Sequence, residues 1–186
     1  AIDMMRCLEE FNQDRVQIGQ ERISIGIGVS TGEVVSGNIG SSKRMDYTVI
    51  GDGVNLAARL ESATKIYRTP ILVSEQTVEA MVEPIALREI DRIRAKGQTE
   101  PVAIFEVLDG LNDDEKSGIQ SQLNRFNEAI GLYRQKQWAA ASDLFSQIQL
   151  ASPSDHVTQV YVDRCNYLAT DPPAGEWDGV WTMNTK

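Results

Sequence analysis

Several residue types that mark common protein classes are scarce in this sequence. Its 186 residues contain two cysteines, Cys7 and Cys165, and one histidine. The cysteines lie far apart and form no CxxC pair, so no zinc site of familiar spacing can be assembled from them. The simplest interpretation is a pair of reduced thiols in a cytosolic setting.

The sequence also lacks a basic excess and a long apolar run. Its formal net charge is −9, from 27 acidic and 18 basic residues, which argues against a nucleic-acid partner and against general attraction to anionic membranes. No apolar stretch reaches the roughly 18 residues that a membrane-spanning helix needs. Arg6, Glu9 and Glu10 interrupt the first residues, so no signal peptide is indicated. We expect a cytoplasmic protein that reaches a membrane only if a missing N-terminal region anchors it.

The most informative stretch is MDYTVIGDGVNLAARLE, residues 45–61, which predicts a strand, a tight turn and a helix. Asp46 to Ile50 is β-branched and aromatic, which favours a strand. The Gly-Asp-Gly turn follows, and Asp52 is expected to be the N-cap of the next helix. That helix, Val54–Lys65, is almost entirely apolar at its start and is therefore expected to be buried on most sides.

Two polar residues interrupt this apolar helix. Asn55 and Arg59 are four residues apart, so they share one face. A guanidinium that is even half-buried requires an anionic partner, and Glu61 points elsewhere. A phosphate group would satisfy it, since arginine suits bidentate recognition of oxygens. The alternative is structural: Arg59 pairs with a carboxylate of the fold, and Asn55 caps a neighbouring loop. Spacing alone leaves both interpretations open.

The remaining chain up to residue 108 alternates between predicted strands and helices. The predictions are a helix over Ala1–Asn12, a strand Arg22–Val29 that forms a hairpin with Glu33–Ser36, a loop Gly37–Lys43, a strand Ile71–Val73, a short helix from its N-cap Ser74 to about Val82, and strands Ile85–Ile93 and Val102–Leu108.

The glycines of this region superficially suggest a dinucleotide-binding fingerprint. That fingerprint requires a strand, then the glycines, then a helix, whereas Gly26 and Gly28 lie within a predicted strand and a second strand follows. Their expected role is structural, since they would allow a helix or a partner chain to approach the sheet closely.

The C-terminal part changes to helical periodicity. Asp109–Gly118 is polar and acidic and predicts a linker, and apolar residues then mark three helices. The pattern resembles a single tetratricopeptide repeat followed by a capping helix at Ala129, Leu132, Ala141, Phe145 and Pro153. One repeat is too little for independent stability, so this segment is expected to dock on the preceding domain or on a partner chain. Trp177 and Trp181 of the tail are expected to pack back on the body.

The motifs ISIGIGVSTGEVVSGNIGSSKRMDYTVIGDGVNLAARLESATK and RAKGQTEPVAIFEV together resemble the C-terminal half of the catalytic domain of class III nucleotide cyclases, from about Ala1 to Leu108. The resemblance implies an α+β fold: a ferredoxin-like cyclase domain without its N-terminal part, followed by a C-terminal α-helical hairpin. The corresponding division is a cyclase domain at 1–109, a linker at 110–120, a tetratricopeptide-like segment at 121–170 and a tail at 171–186.

The resemblance also implies an activity, the conversion of ATP to 3′,5′-cyclic AMP and pyrophosphate. By analogy with the family, Asn55 would orient the ribose and Arg59 would stabilise the pentavalent phosphate. Thr48 would recognise adenine, and Lys96 would hold the phosphates, although taken alone Lys96 is simply a solvated turn lysine. Family sites form between two chains, so a homodimer is implied, with the Gly37–Lys43 loop and the strand after it as a dimer-contacting arm.

The family holds Mg²⁺ or Mn²⁺ with two aspartates, one in an FxDI-type strand and one in a KxxGD hairpin. Neither motif occurs here, and Asp46 and Asp52 belong to other motifs. The family's first strand, first helix and one hairpin are missing too. Since phosphoryl chemistry on ATP depends on metal ions, we expect a piece of a longer protein whose metal ligands lie upstream, with little or no activity by itself.

Three alternatives to an adenylate cyclase stay open. The chain could be a non-catalytic regulatory partner that lends its Asn–Arg half to another subunit. It could be a helical interaction module with a vestigial cyclase segment. It could also belong to a guanylate cyclase, against which only Thr48 argues. Sequence upstream of Ala1 would separate the first two from an enzyme.

Overall fold

The computed structural model describes residues 1–41, 44–94 and 101–181 and combines helices with two β-sheets, an α+β architecture as expected. The helices are α1 (Ile2–Gln17), α2 (Asp52–Tyr67), α3 (Glu75–Glu79), α4 (Asp113–Arg134), α5 (Trp138–Ala151) and α6 (His156–Thr170), with a 3-10 turn at Leu108–Gly110. The strands are β1 (Ile27–Val29), β2 (Val35–Ser41), β3 (Arg44–Ile50), β4 (Ile71–Ser74), β5 (Leu87–Ile93) and β6 (Val102–Val107).

One sheet has four strands in the order β1-β4-β6-β5, which places β5 at an edge. Strand β1 runs parallel to β4, with Ile27 opposite Ile71, and the other neighbours are antiparallel. The predicted hairpin between Arg22–Val29 and Glu33–Ser36 is therefore wrong. Only Ile27–Val29 of the first segment is a strand, and its partner lies more than 40 residues further along the chain, where local sequence signals cannot indicate it.

The second sheet is a separate hairpin of β2 and β3, paired from Val35 opposite Ile50 to Ser41 opposite Arg44. The prediction of a loop over Gly37–Lys43 is wrong for Gly37–Ser41. Backbone hydrogen bonding to β3 holds these small residues extended despite their weak strand propensity. The hairpin is exposed to solvent, with Val35 70% and Tyr47 73% accessible. Its role as a dimer-contacting arm stays a prediction.

Helix α2 packs against the sheet at very short range. A Cβ on Gly28 would lie 2.2 Å from the carbonyl oxygen of Ala57 and 2.4 Å from the amide nitrogen of Glu61. No side chain fits in that space, so the expected close approach of a helix to the glycine-containing strand is confirmed. Gly28 thereby fixes the distance between α2 and β1.

Burial of α2 is one-sided. Leu56, Leu60 and Tyr67 are buried against the sheet and the C-terminal helices. The opposite face is exposed, including Asn55 and Ala58, so the expectation of burial on most sides is wrong. Among the described residues no layer covers that face, and alanine and valine there do not by themselves indicate burial.

The start of α2 also differs from the prediction. Gly51, not Asp52, is the N-cap, and it makes no side-chain capping bond. Asp52 is the first helical residue instead, where its carboxylate still complements the positive end of the helix dipole. In contrast, the predicted N-cap Ser74 of α3 is confirmed, since its hydroxyl accepts the amide N–H of Thr77 at 3.3 Å.

Helices α4 to α6 share one hydrophobic core with α2 and the four-stranded sheet. The expected docking on the preceding domain is confirmed. The predicted linker Asp109–Gly118 is wrong from Asp113 onward, because Asn112 caps α4 by accepting the amide N–H of Glu115 at 2.9 Å. Its polar, acidic residues are the first turn of a helix.

The C-terminal tail folds back on these helices, as expected. The ring of Trp177 lies 5.5 Å from that of Tyr133 and 6.1 Å from that of Trp138, and Trp181 lies under the guanidinium of Arg164 at 5.2 Å. The three helices that the apolar periodicity predicts are confirmed as α4, α5 and α6, one more than the two helices of the predicted hairpin. Their assignment to a tetratricopeptide repeat and the exact domain borders stay predictions. In the part of the chain that the structure describes, no helix is long and apolar enough to span a bilayer.

Candidate functional site

Helix α2 presents the two candidate catalytic side chains on its outer face. Asn55 is exposed and Arg59 is half-buried one turn further along. The Nη1 of Arg59 donates to the backbone carbonyl of Arg94 at 3.4 Å, a long hydrogen bond. Within residues 1–41, 44–94 and 101–181, no carboxylate forms an ion pair with Arg59. The structural alternative, in which Arg59 pairs with a carboxylate of the fold, is therefore not seen there.

Thr48 lies on the strand that leads into this helix. It is exposed on β3, opposite Gly37 of β2. Between Thr48 and Asn55 the backbone passes very close to the segment before β2, since a Cβ on Gly51 would lie 2.9 Å from the carbonyl oxygen of Glu33. Glycine is thus required where the chain passes from the base-recognition candidate to the phosphate-binding candidates. Lys96, the fourth predicted site residue, lies outside the described residues.

A cleft of about 820 Å³ opens at the N-terminal end of α2. It is lined by residues 30–35 and 50–53 together with Leu56 and Gln76. Thr48, Asn55 and Arg59 are not among its lining residues. The candidate site is therefore an accessible surface of α2 and β3, and a nucleotide bound there would need further groups to enclose it.

The residues that the structure describes contain no group of three or more histidine, cysteine, aspartate or glutamate side chains that could hold a metal ion. They do not fit the two metal ions that the family resemblance implies, so no catalytic step is derived through a metal. The prediction of metal ligands upstream of this sequence stays untested.

A buried network of charges lies between the sheet and the C-terminal helices and was not predicted from the sequence. Arg88 of β5 donates to Glu106 of β6 at 3.0 and 2.5 Å and to Asp155 at 2.6 and 3.0 Å. Burial lowers the pKa of Arg88, but the two carboxylates more than offset this effect and the pKa is raised overall.

A second buried group of charges lies three residues further along the same strand, at Asp91. Asp91 accepts hydrogen bonds from Arg164 at 2.7 Å and from the hydroxyl of Tyr67, which also accepts from Arg164 at 2.9 Å. Burial and then the neighbouring Asp91 raise the pKa of Tyr67 well above its usual range. Asp155 is 67 residues from Arg88 and Arg164 is 73 residues from Asp91 in sequence, so the available signal was limited to the charged residues within the predicted strand.

With the geometry established, the comparisons with known proteins identify the class. Residues 1–108, more than half of the chain, match the family described as "Adenylate and Guanylate cyclase catalytic domain". The chain belongs to this family.

Individual relatives are cyclases from several organisms. The chain is 32% identical to "Adenylate cyclase, terminal-differentiation specific" of Dictyostelium discoideum, over 89% of this chain and 8% of that protein. It is 43% identical to an adenylate cyclase of Anabaena cylindrica, over 58% of this chain and 23% of that protein. The chain thus spans less than a quarter of these relatives. The Dictyostelium match covers more residues than the family match contains, so it includes part of the C-terminal helices.

Two solved structures are also similar to this chain. The guanylyl cyclase Cya2 is 38% identical with a TM-score of 0.47, over 60% of this chain and 55% of that one. The adenylyl cyclase CyaB from P. aeruginosa is 36% identical with a TM-score of 0.48, over 57% of this chain and 54% of that one.

Proposed function

We propose that this chain is the C-terminal half of an adenylate cyclase domain, which as part of a longer protein converts ATP to 3′,5′-cyclic AMP and pyrophosphate in intracellular signalling. Membership of the cyclase family supports the reaction class, and the names of the Dictyostelium and Anabaena relatives support the adenine nucleotide. The observation that carries the proposal is Arg59, a half-buried guanidinium on an open face without a carboxylate among the described residues.

In this reaction the 3′-oxygen of the ribose attacks the α-phosphorus of the same nucleotide. A phosphorus–oxygen bond forms, the bond to the bridging oxygen of the β-phosphate breaks, and pyrophosphate leaves with that electron pair, while the hydroxyl proton is released. Negative charge develops on the oxygens around phosphorus, and a positioned guanidinium stabilises it. Arg59 would supply this charge, and the amide of Asn55, one turn away, would orient the ribose.

Base recognition is assigned to Thr48, whose hydroxyl can both donate and accept a hydrogen bond to a purine edge. Lys96 would contact the phosphates. The accessible position of Thr48 and Asn55 is consistent with a site completed by another chain, and we propose a homodimer of the longer protein. Mg²⁺ or Mn²⁺ bound by upstream aspartates would neutralise the triphosphate. We place the domain in the cytoplasm, with a membrane anchor only if one precedes it.

The test is a cyclase assay of the full-length protein with Mn²⁺ and either ATP or GTP. We expect cyclic AMP from ATP, and a loss of about 10²–10³-fold in kcat for Arg59→Ala, the range seen when one charge-stabilising donor is removed. Lys65→Ala is the matched control, because Lys65 is an exposed cation on the same helix away from the Asn55–Arg59 face. Its kcat is expected to stay within about twofold of wild type.

Other results would redirect the proposal. Cyclic GMP instead of cyclic AMP would indicate a guanylate cyclase. No product from folded, dimeric full-length protein would favour the non-catalytic regulatory partner. The isolated 186-residue chain is expected to have little or no activity, and measurable turnover by it would contradict the expectation that the metal ligands lie upstream.

A further inference from the structure

Strand β5 is held along almost its whole length by the C-terminal part of the chain. Five of the seven positions from Arg88 to Arg94 make polar contacts to α4, to α6 with its N-cap, or to the tail. They are Arg88 with Asp155, Glu89 with Arg134, the carbonyl of Ile90 with the hydroxyl of Tyr161, Asp91 with Arg164, and Arg94 with Asp178. Hydrogen bonds and ion pairs to this one edge strand therefore hold the C-terminal helices in place, in addition to their apolar contacts with the sheet.

The last of these contacts involves a tail that is itself firmly placed. Val180 is only 8% exposed, and its amide N–H donates to the Oδ1 of Asp178 at 3.0 Å. Gly179 has a φ of +79°, and a Cβ there would lie 3.0 Å from the Cγ of Arg134. Trp177 packs edge-on against Tyr133. The carboxylate of Asp178 thus has a defined position before Arg94 is considered.

Arg94 links this tail to the candidate catalytic arginine. Its side chain forms an ion pair with Asp178, and its backbone carbonyl accepts the hydrogen bond from Arg59. This carbonyl is the one hydrogen-bond acceptor found for Arg59 within the described ranges. Arg94 directly follows β5 in sequence, at a point where the sheet no longer fixes the backbone. The position of the carbonyl then depends on what holds the Arg94 side chain.

A second link stabilises the far end of the same helix. Tyr67, eight residues after Arg59 in α2, donates to Asp91, which also binds Arg164 of α6. Arg164 in turn lies against the ring of Trp181 in the tail. The tail is therefore linked to α2 in two ways. Asp178 is linked through Arg94 to Arg59, and Trp181 is linked through Arg164 and Asp91 to Tyr67.

We infer that the C-terminal tail positions the catalytic arginine, with Asp178 as a positioning residue that acts on Arg59 through Arg94. This inference rests on the proposed function, in which Arg59 stabilises the transition state. Without Asp178 the side chain of Arg94 is no longer held, so the position of its backbone carbonyl varies. The guanidinium of Arg59 is then less often placed to stabilise the charge that develops on the phosphate oxygens. Because the Arg94–Asp178 pair is half-exposed, its effect is modest.

The test compares Asp178→Asn with wild type in the full-length protein. We expect kcat for cyclic AMP formation to fall by about three- to fivefold at unchanged KM for ATP, the size that a half-exposed ion pair allows. Asp178→Glu keeps a carboxylate that can pair with Arg94 and accept the amide N–H of Val180, so kcat is expected to recover to within about twofold of wild type. Recovery with glutamate but not with asparagine would show that the negative charge at position 178 sets kcat.

Asp143→Asn is the matched control, because Asp143 is an exposed carboxylate of α5 with no polar partner among the described residues. It makes the same change of charge on the same segment and is expected to leave kcat unchanged. An equal fall in kcat for Asp143→Asn and Asp178→Asn, or no fall for Asp178→Asn, would overturn the inference while leaving the proposed function intact.

An NMR measurement that does not depend on enzyme activity tests the positioning role of Asp178 separately from the proposed cyclase function. In the 186-residue chain labelled with ¹⁵N-arginine, the Nε–H signal of Arg59 is assigned from its absence in Arg59→Lys. We expect Asp178→Asn to shift or broaden this signal and Asp143→Asn to leave it in place. If the full-length wild type makes no cyclic nucleotide, the proposed function fails. An Arg59 signal that is insensitive to Asp178 would then overturn the positioning link as well.

Discussion

Arg88 donates to Asp155 at 2.6 Å across the junction of sheet and helices, with the two side chains only 1% and 2% exposed. Asp155 is also the N-cap of α6, where it accepts the amide N–H of Val157 at 3.2 Å. The same guanidinium binds Glu106 and lies over the ring of Phe126 at 4.7 Å. One arginine thus neutralises two carboxylates that the fold has removed from water.

Replacing this arginine is expected to be strongly destabilising. Arg88→Met keeps a long apolar side chain but leaves Glu106 and Asp155 buried without a cation. Breaking a buried pair in this way costs about 3–5 kcal/mol of unfolding free energy, measurable by urea denaturation. Arg92→Met is the control, because its pair with Glu89 is 44% and 30% exposed and should contribute less than about 1 kcal/mol. Equal losses for the two variants would contradict the electrostatic account.

A methyl group at Gly28 is expected to push α2 away from the sheet. Gly28→Ala places a carbon 2.2 Å from the carbonyl oxygen of Ala57, so backbone must move and the unfolding free energy should fall by more than about 2 kcal/mol. Gly131→Ala in α4 has nothing within 4 Å of the new carbon and should instead stabilise by about 0.5–1 kcal/mol. Thermal or urea unfolding of both variants tests the opposite signs. A neutral Gly28→Ala would show that the close contact is not real.

Asp109 is expected to make part of the stability depend on acid pH. Its carboxylate accepts from Lys116 at 2.5 Å and from the amide N–H of Ala86 at 2.8 Å. The hydrogen bond from Lys116, followed by that from Ala86, lowers the pKa of Asp109 below its usual 3.8. A lowered folded-state pKa means that the stabilisation is complete above the unfolded value and is lost as pH falls through the folded one.

The measurement is urea unfolding of wild type and Asp109→Asn at pH 7, 5 and 3. The variant should be less stable by about 1 kcal/mol at pH 7 and 5, and the difference should shrink towards pH 3. Asp143→Asn serves again as the control and should show little difference at any pH. If the difference in unfolding free energy between wild type and Asp109→Asn grew as the pH fell, its sign would contradict this mechanism.

The two cysteines are expected to differ sharply in reactivity. Cys7 is exposed and Cys165 is buried, and burial raises the pKa of the Cys165 thiol to about 12. Since the thiolate is the reactive form, a disulfide reagent at pH 8 should modify one thiol per folded chain rapidly and the second only on unfolding. Cys7→Ser should abolish the rapid phase. Rapid modification that survives in Cys7→Ser would show that the Cys165 environment opens readily.

Much of the fold could be predicted because its signals are local. The N-cap at Ser74 and the helical periods after residue 120 depend on neighbours within a few residues of each other. The backbone proximity at Gly28 also followed from a glycine within a strand. For the site, sequence spacing was enough to place Asn55 and Arg59 on one face of α2.

Two of the errors are local, since Gly51 rather than Asp52 caps α2 and α4 begins at Asp113 within the predicted linker. The other errors depend on contacts outside the segment concerned. The pairing of β1 with β4 cannot be inferred from either segment alone. The extension of β2 through Gly37 depends on β3, and the exposure of one face of α2 depends on what packs there. The interactions of the charged residues of β5 could not be predicted either, since Asp155, which pairs with Arg88, and Arg164, which pairs with Asp91, are 67 and 73 residues away in sequence.

The position of β5 at the edge of the sheet has a consequence for solubility. An uncovered edge strand offers backbone groups to strands of other molecules, which promotes intermolecular pairing. Here the hydroxyl of Tyr161 donates a hydrogen bond to the backbone carbonyl of Ile90. Ile90 lies where the pairing of β5 with β6 shifts register, between Glu89 and Asp91. Removing the helices after Gly110 would expose this edge and leave the buried carboxylate of Asp91 without its cation Arg164, whereas Arg88 would keep Glu106. A chain that ends at residue 108, where the family match ends, should therefore self-associate. The C-terminal helices protect the cyclase domain from aggregation by covering this edge.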